Sequence, residues 1–358
     1  MASRSIGYWV ASAAVLAAGL GFAGLNAFGP SEPAAIERAP AGEAPHVEQP
    51  SIRFGVAEAP PKPAGAIRLT TLNLQNLYRD APGETPDPER KPAKPEAQLK
   101  AAGDLLRKLD ADVLALQEVE SEAVLTWFRD TYLGGLGYDH VASVDAGDDR
   151  GIEQSVLSRF PIEGVRNWPG LVLEGKHPLT SRDPEARPGE EIRFRRSPLR
   201  AQVVVPAERA GGSPYRLTLF VVHHKSGRDA GYWREAEGKA TARLAKEELA
   251  GDPDGKVVIL GDFNATMVDM SFRAYLDAGF ADAQADRAVG NPAWATHESG
   301  RTIDYVLVSP GLRAGLVGSG FVLGAPARPA GVDWRTYPAP AGYVSDHYAV
   351  AIDLVPKP

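Results

Sequence analysis

The 358-residue chain carries 39 basic and 46 acidic side chains, a formal net charge of −7, and no cysteine. That balance excludes the global basic field of a dedicated nucleic-acid coat, so any polyanion must be met by a local patch. The missing cysteine excludes disulfides, thiolate zinc sites and cysteine nucleophiles, leaving oxygen and imidazole to carry chemistry.

Residues 6–29 hold no charged side chain and follow a lone Arg4. The run is long enough to span a bilayer, which favours an uncleaved signal anchor. Gly21-Phe22-Ala23 also offers a small-x-small cleavage pattern, so a removed signal peptide is the alternative. The first leaves the folded part anchored outside the cytoplasm, the second leaves it secreted or periplasmic. Residues 30–65, rich in Pro, Ala and Glu without periodicity, read as a tether, and residues 66–358 as one α/β domain.

The domain opens with a strand, Ile67 to Asn73, then a loop crowded with Pro and charge from Tyr78 to Pro95. Pro95 starts a helix on which Leu99, Leu105, Leu106 and Leu109 share a stripe, and the strand Val113 to Gln117 ends at Glu118. Ser121 caps a short helix, and strands near 139–144 and 155–158 follow a Gly-rich turn. Residues 164–198 read as a long irregular excursion ending in Arg193-Phe194-Arg195-Arg196. Strands at 201–205 and 216–222 come next, the second delivering His223, His224 and Lys225, followed by a helix over about 233–249.

The apolar run Val257 to Leu260 stops at Gly261 and presents Asp262 and Asn264, a carboxylate and an amide able to serve a water and a phosphate. A helix near 271–278, a strand over 303–308 carrying Asp304, and a last strand over 348–354 preceded by Asp346 and His347 complete the pattern. Asn73, Glu118, Asp262, Asn264, Asp304 and Asp346 thus recur at strand ends, enough hard oxygen for Mg²⁺ or Mn²⁺. Successive side chains on a strand face opposite sides, so His223 and His224 cannot both serve one site, while Lys225 would share the face of His223.

In this order, LNLQN, ALQEVE, HHKS, GDFN, IDYVLVS and SDHYAV resemble the endonuclease/exonuclease/phosphatase superfamily, often called DNase I-like, over residues 67–355. Strands alternating with helices would by themselves suggest a parallel doubly wound sheet. The resemblance implies instead a four-layer α/β/β/α sandwich of two packed mixed, largely antiparallel sheets. It implies Glu118 as the metal-binding glutamate, with Asn73 and Asp346 beside it and Mg²⁺ or Mn²⁺ as cofactor. Asp262 would orient or deprotonate the attacking water, Asn264 would hold a phosphate oxygen, and Asp304 would orient His347, which contacts the scissile phosphate. The family's H-x-K-S pattern selects His223 and makes Lys225 a phosphate contact. Arg196 resembles an arginine that reaches phosphate in this family, although a solvated loop face explains the basic run equally well.

Gln75 stands where abasic-site repair members carry an acid, and the longer signatures of inositol polyphosphate phosphatases are missing. The H-x-K-S form looks closest to exported bacterial nucleases. The function implied is a divalent-metal-dependent phosphodiester hydrolase, an exported or membrane-anchored endonuclease acting on DNA or RNA. A phosphomonoesterase or sphingomyelinase-type lipid phosphodiesterase is one alternative, and an inactive polyanion-binding module another. Substrate attraction is expected from Arg193, Arg195, Arg196, Lys225, Arg228 and Arg234, and no protein partner is implied.

Overall fold

Two pairs of parallel strands form the centre of the molecule. In the first, β1 (Ile67–Leu77) lies beside β2 (Val113–Val119), and in the second, β9 (Tyr215–His223) lies beside β10 (Val257–Asp262). Each pair is the middle of a six-stranded sheet whose other neighbours are antiparallel. The first sheet runs β13 (Leu316–Leu323), β14 (Ala349–Leu354), β1, β2, β4 (Glu153–Ser158), β3 (His140–Val144). The second runs β11 (Ala281–Asp282), β12 (Asp304–Val308), β10, β9, β8 (Leu199–Val205), β5 (Ile162–Arg166). This computed structural model describes residues 51–80, 92–284, 290–333 and 335–356, within the unit Glu48–Pro358. The apolar segment at 6–29 lies outside the described residues, as does most of the loop expected between Tyr78 and Pro95. Among the described residues no helix is long and apolar enough to cross a membrane.

Helices close the sandwich on both sides. α1 (Glu96–Leu109) buries the expected stripe of Leu99, Leu105, Leu106 and Leu109, and α2 (Glu122–Tyr132) is capped by Ser121, whose hydroxyl accepts from Val124 N at 3.3 Å. Both pack their apolar faces into the core of the first sheet. α3 (Gly231–Glu248) and α4 (Met270–Asp277) cover the second sheet through Trp233, Ala236, Ala240, Phe272 and Tyr275. The short α5 (Pro310–Arg313) precedes β13. The observed layering is therefore α/β/β/α, with mixed, largely antiparallel sheets.

Strand parity in the second sheet decides what faces what. In β9, Leu217, Leu219 and Val221 join the core shared with the first sheet, whereas Phe220 and Val222 join the core under α3 and α4. β10 splits likewise into Val258 and Leu260 against Val257 and Ile259, and β12 into Val306 and Val308 against Tyr305 and Leu307. Each such side chain contributes about 1.5–3 kcal/mol on burial, so a one-residue slip, which would exchange the two faces, is heavily disfavoured. Continuing the alternation to the strand ends places His223, Asp262 and Asp304 on the face turned to the first sheet.

Three sequence readings are corrected. The tether does not reach residue 65: Phe54 is buried against Tyr348 with ring centroids 5.6 Å apart, and Val56 bridges Leu323. Single bridges at a sheet edge leave no periodicity to read. The excursion at 164–198 is not irregular throughout, because β5 begins it and β6 (Val172–Lys176) pairs with β7 (Glu191–Arg193). Trp168 stacks on Phe220, and Trp233 Nε1 donates to Arg193 O at 2.7 Å, fastening this ribbon to the helix side of the second sheet. The strand β13 was also hidden, since Gly318 and Gly320 at positive φ break its register between Val317 and Phe321.

Candidate active site

The parallel pairs of the two sheets end at the same rim. Asp262 is registered between His223 on β9 and Asp304 on β12, so three chemically active side chains form a row across the second sheet. Opposite them stand Asn73 and Glu118, from the ends of β1 and β2. Asn73 Nδ2 donates to Asp262 Oδ2 at 3.2 Å and to Glu118 Oε1 at 3.3 Å, joining the sheets across the rim. Gly261 makes the row possible. It sits at φ +141°, and a Cβ there would fall 2.0 Å from Val222 O.

Backbone strain collects at this rim. Apart from Asp110, which caps a helix, the non-glycine residues at positive φ among those described are Gln75, Asn76, Glu118 and Asn264. Such conformations cost of order 1–3 kcal/mol and persist where the surroundings impose them. At Glu118 the strain accompanies a bulge that shifts the β2 register, and the carboxylate accepts from Asn76 N at 3.0 Å. Lys94, unforeseen in the sequence, is buried behind the bend and donates to Leu74 O at 2.9 Å and Gln75 O at 3.3 Å. Burial pulls its ammonium down to about 8 against the opposing pull of Asp346 and Glu118, which places both carboxylates within its field.

His347 enters from the lead-in to β14. Its Nδ1 lies 2.9 Å from Asp304 Oδ2, and its Nε2 lies 3.7 Å from Asp262 Oδ2. Thr296 Oγ1 donates to the same Asp304 Oδ2 at 2.7 Å, so this oxygen is shared by the hydroxyl and the imidazole. Burial opposes charge on His347, yet Asp304 and Asp262 outweigh it and raise its proton affinity well above that of a free histidine. Burial, with Asp304 adding and His347 opposing, pushes Asp262 up to about 7. His223, 3.4 Å from Asp262 and 3.7 Å from Glu118, is fully buried, and burial followed by Arg196 and Arg150 keeps it neutral. Its neighbour His224 points the other way, with Nε2 2.6 Å from Tyr275 Oη and Nδ1 3.4 Å from Glu237.

His347, Asp262, His223 and Glu118 line a cleft of about 810 Å³ together with Asn264, Asp346, Arg150, Arg228, Arg234, His297 and Arg301. His297 had no signal in the sequence. Its ring meets that of His347 edge-on at 4.8 Å, its Nε2 lies 3.6 Å from Asp346 Oδ2, and its backbone bridges His347. Burial would raise the Asp346 carboxyl, but His297 and His347 hold it below the usual range. Glu118 and Asp346 both line the cleft, with the Asn73 amide 3.3 Å from Glu118, and carboxylate oxygens suit a hard divalent cation. Among the described residues the groups close enough to share one ion are His297, Asp346 and His347, and Asp262, Asp304 and His347. Imidazole from His297 and His347 stands within reach of Asp346.

Three expected phosphate contacts are placed otherwise. Arg196 is buried and donates to His223 O, His224 O and Asp148, so it braces the strand end. Lys225 does not share the face of His223, because β9 ends at His223 and the chain turns; its ammonium lies 3.4 Å from Asp183 and from Glu185. Asn264 Nδ2 donates to His224 O at 3.1 Å and to Asp262 Oδ2 at 3.0 Å, which positions the aspartate. The expected basic patch is likewise broken up. Arg193 pairs with Glu191, and Arg195 with Asp148, Asp149 and Glu185, leaving cleft-lining arginines to meet an anion.

The sequence model described as the Endonuclease/Exonuclease/phosphatase family matches residues 70–347. No curated protein matches the chain. Among solved structures, the human Nocturnin catalytic domain with bound sulfate anion is similar at 15% identity and TM-score 0.51, over 82% of this chain and 95% of that one. An endonuclease/exonuclease/phosphatase from Beutenbergia cavernae is similar at 21% identity and TM-score 0.52, over 81% and 71%. A mannosyl-6-phosphatase from Bacteroides thetaiotaomicron is similar at 17% identity and TM-score 0.50, over 81% and 99%. At these identities the likeness is one of fold.

Proposed function

The chain belongs to the endonuclease/exonuclease/phosphatase family, and from that membership and its own site we propose that it is a divalent-metal-dependent phosphodiesterase cleaving nucleic acid internally. The observation that carries the reading is the line Asp304, His347, Asp262, with separations of 2.9 and 3.7 Å, opening on a cleft lined by arginines.

Asp262, with a proton affinity near neutrality, accepts the proton of a water that attacks phosphorus opposite the leaving oxygen. Asn73 and Asn264 aim its carboxylate. His347, kept protonated by Asp304 and Asp262, offers its Nε2 proton to a non-bridging oxygen as charge gathers there. His223, buried and neutral, is placed to hydrogen-bond the phosphate or the leaving oxygen as the bond to phosphorus breaks. A cation held by Glu118 and Asp346 beside Asn73 would add positive charge at the phosphate. The intact line of groups argues against an inactive binding module.

The test is hydrolysis of bis-p-nitrophenyl phosphate against p-nitrophenyl phosphate with Mg²⁺ or Mn²⁺, then DNA, RNA and sphingomyelin. Diester and nucleic-acid cleavage is expected. Monoester hydrolysis alone, or sphingomyelin cleavage with intact DNA and RNA, would replace this reading with the corresponding alternative. Residues 1–29 are inferred to export and anchor the domain; a mature N-terminus near Gly24 in mass spectrometry would mean cleavage instead.

A further inference from the structure

We propose that Arg228, Arg234 and Arg301 form a second phosphate subsite beside the catalytic row, taking the neighbouring phosphodiester of a polynucleotide. The proposal rests on the phosphodiesterase reading and names the substrate feature that the site selects. Its basis is a contrast in how arginines are partnered. Arg193, Arg195, Arg196 and Arg200 each face a carboxylate within 4.0 Å, and so does Arg150 at the cleft wall. Among the described residues, Arg228, Arg234 and Arg301 make no ion pair, and all three line the cleft that contains Asp262 and His347.

Arg234 is the telling member. It is only 8% exposed, yet its Nε is buried without a hydrogen-bond partner. Its Nη1 is fixed by Lys225 O at 3.0 Å and Gly227 O at 2.7 Å, so the guanidinium is held on neutral carbonyls. No carboxylate is in ion-pair contact with this buried cation, and the charges of Asp269 and Glu237 oppose its desolvation only in part, so an arriving anion lowers a real cost. Asp269 shares the cleft wall, but its Oδ2 is already engaged by Thr266 N at 2.7 Å and Thr266 Oγ1 at 2.8 Å.

The other two cations come from loops on either side. Arg228 opens the turn that leads into α3 and stays exposed. Arg301 is exposed on the loop before β12, where Nε donates to Ser299 Oγ at 3.1 Å and the backbone carbonyl accepts from Thr296 N and His297 N. Burial disfavours the charge on Arg234, Asp269 and Glu237 favour it, and Arg301 opposes it as a like charge from the same cleft wall. None of the three arginines pairs with a carboxylate of the catalytic row, so the proposal leaves the scissile phosphate to Asp262, His223 and His347 and assigns the arginines to its neighbour in the same cleft. A monoester would fill one position and leave the arginines unneutralised. Guanidinium groups suit phosphate oxygens because their N–H donors are planar and charged.

Two measurements on the full chain test this. The first is calorimetric binding of inorganic phosphate to metal-free protein, for wild type and for the double variant Arg228→Gln/Arg301→Gln, both at exposed positions. Binding weakened by about tenfold or more in the variant is expected for the loss of charge-assisted contacts. No binding in the wild type, or binding unchanged in the variant, overturns the subsite. The second compares kcat/KM for the thymidine dinucleotide TpT and the trinucleotide TpTpT with Mg²⁺ or Mn²⁺. The trinucleotide should be favoured by about tenfold or more in the wild type, and in the variant the advantage should fall toward the statistical factor of about two. An equal ratio in both proteins overturns the proposal. If TpT and bis-p-nitrophenyl phosphate are both left intact, the phosphodiesterase reading fails, and the phosphate calorimetry still decides whether the anion site exists.

Discussion

Asp304→Asn isolates the electrostatic part of the site. The buried carboxylate accepts from Thr296 Oγ1 at 2.7 Å and lies 2.9 Å from His347 Nδ1, and with Asp262 it overcomes the effect of burial on His347. Asparagine keeps the shape and removes the charge. Thr296 Oγ1 already accepts from Ile303 N and Asp304 N, each at 3.0 Å, so its hydroxyl must donate. The new amide therefore keeps its oxygen at the Oδ2 position, which is also 2.9 Å from His347 Nδ1, with the NH₂ at the Oδ1 position 3.1 Å away. Nδ1 then faces a neutral amide in place of a carboxylate, the imidazole loses the largest charge that raised its proton affinity, and the positive charge aimed at the phosphate is weakened. Loss of an orienting carboxylate of this kind lowers turnover about 10²–10⁴-fold, or about 2.7–5.4 kcal/mol of transition-state stabilisation. Replacing one charge-assisted bond by a neutral one costs about 1 kcal/mol of stability, so the fold should survive. The assay is kcat and KM on bis-p-nitrophenyl phosphate for wild type, Asp304→Asn, His347→Ala and the double variant, with a thermal melt of each. Because Asp304 acts through His347, the double variant should be at most a few-fold slower than His347→Ala. Losses that simply multiply would show Asp304 acting by another route and refute the relay.

The raised proton affinity of Asp262 gives a sign for the pH profile: its carboxylate accepts a proton from water only when ionised, so kcat/KM should fall as the pH drops through about 7. A bound divalent cation favours the ionised form and should move that limb to lower pH as Mg²⁺ is raised; a flat acid limb in the wild type would contradict the role. His223→Ala should lower turnover by at least about a hundredfold with little change in melting temperature. His224→Ala should instead cost about 1–3 kcal/mol of stability by stripping Tyr275 and Glu237 of a partner, and equal activity losses for the two would undo the parity argument. Glu118→Gln should raise the Mg²⁺ or Mn²⁺ requirement by about tenfold or more, checked by a metal titration. Full wild-type activity in EDTA would be incompatible with it.

The sequence by itself determined what depends on neighbours along the chain. Apolar periodicity marked α1 and the inner strands, Ser121 marked the start of α2, and the stop of Val257–Leu260 at Gly261 marked the strand end where Asp262 and Asn264 stand. Alternation allowed only one of His223 and His224 to face the site, and the ordered motifs named the family and its layered sheets. What it could not carry was anything set by partners distant in the chain. Arg196 and Lys225 read as free cations, but the carboxylates that hold them, Asp148, Asp183 and Glu185, come from segments that only folding brings near. His297 has no local signature, and gains meaning because an isolated bridge lays it against His347, while Lys94 matters because the bend of β1 turns two carbonyls toward it. Charge along a chain is a local property, whereas whether a charge is free is a property of its surroundings, and those are decided by tertiary structure.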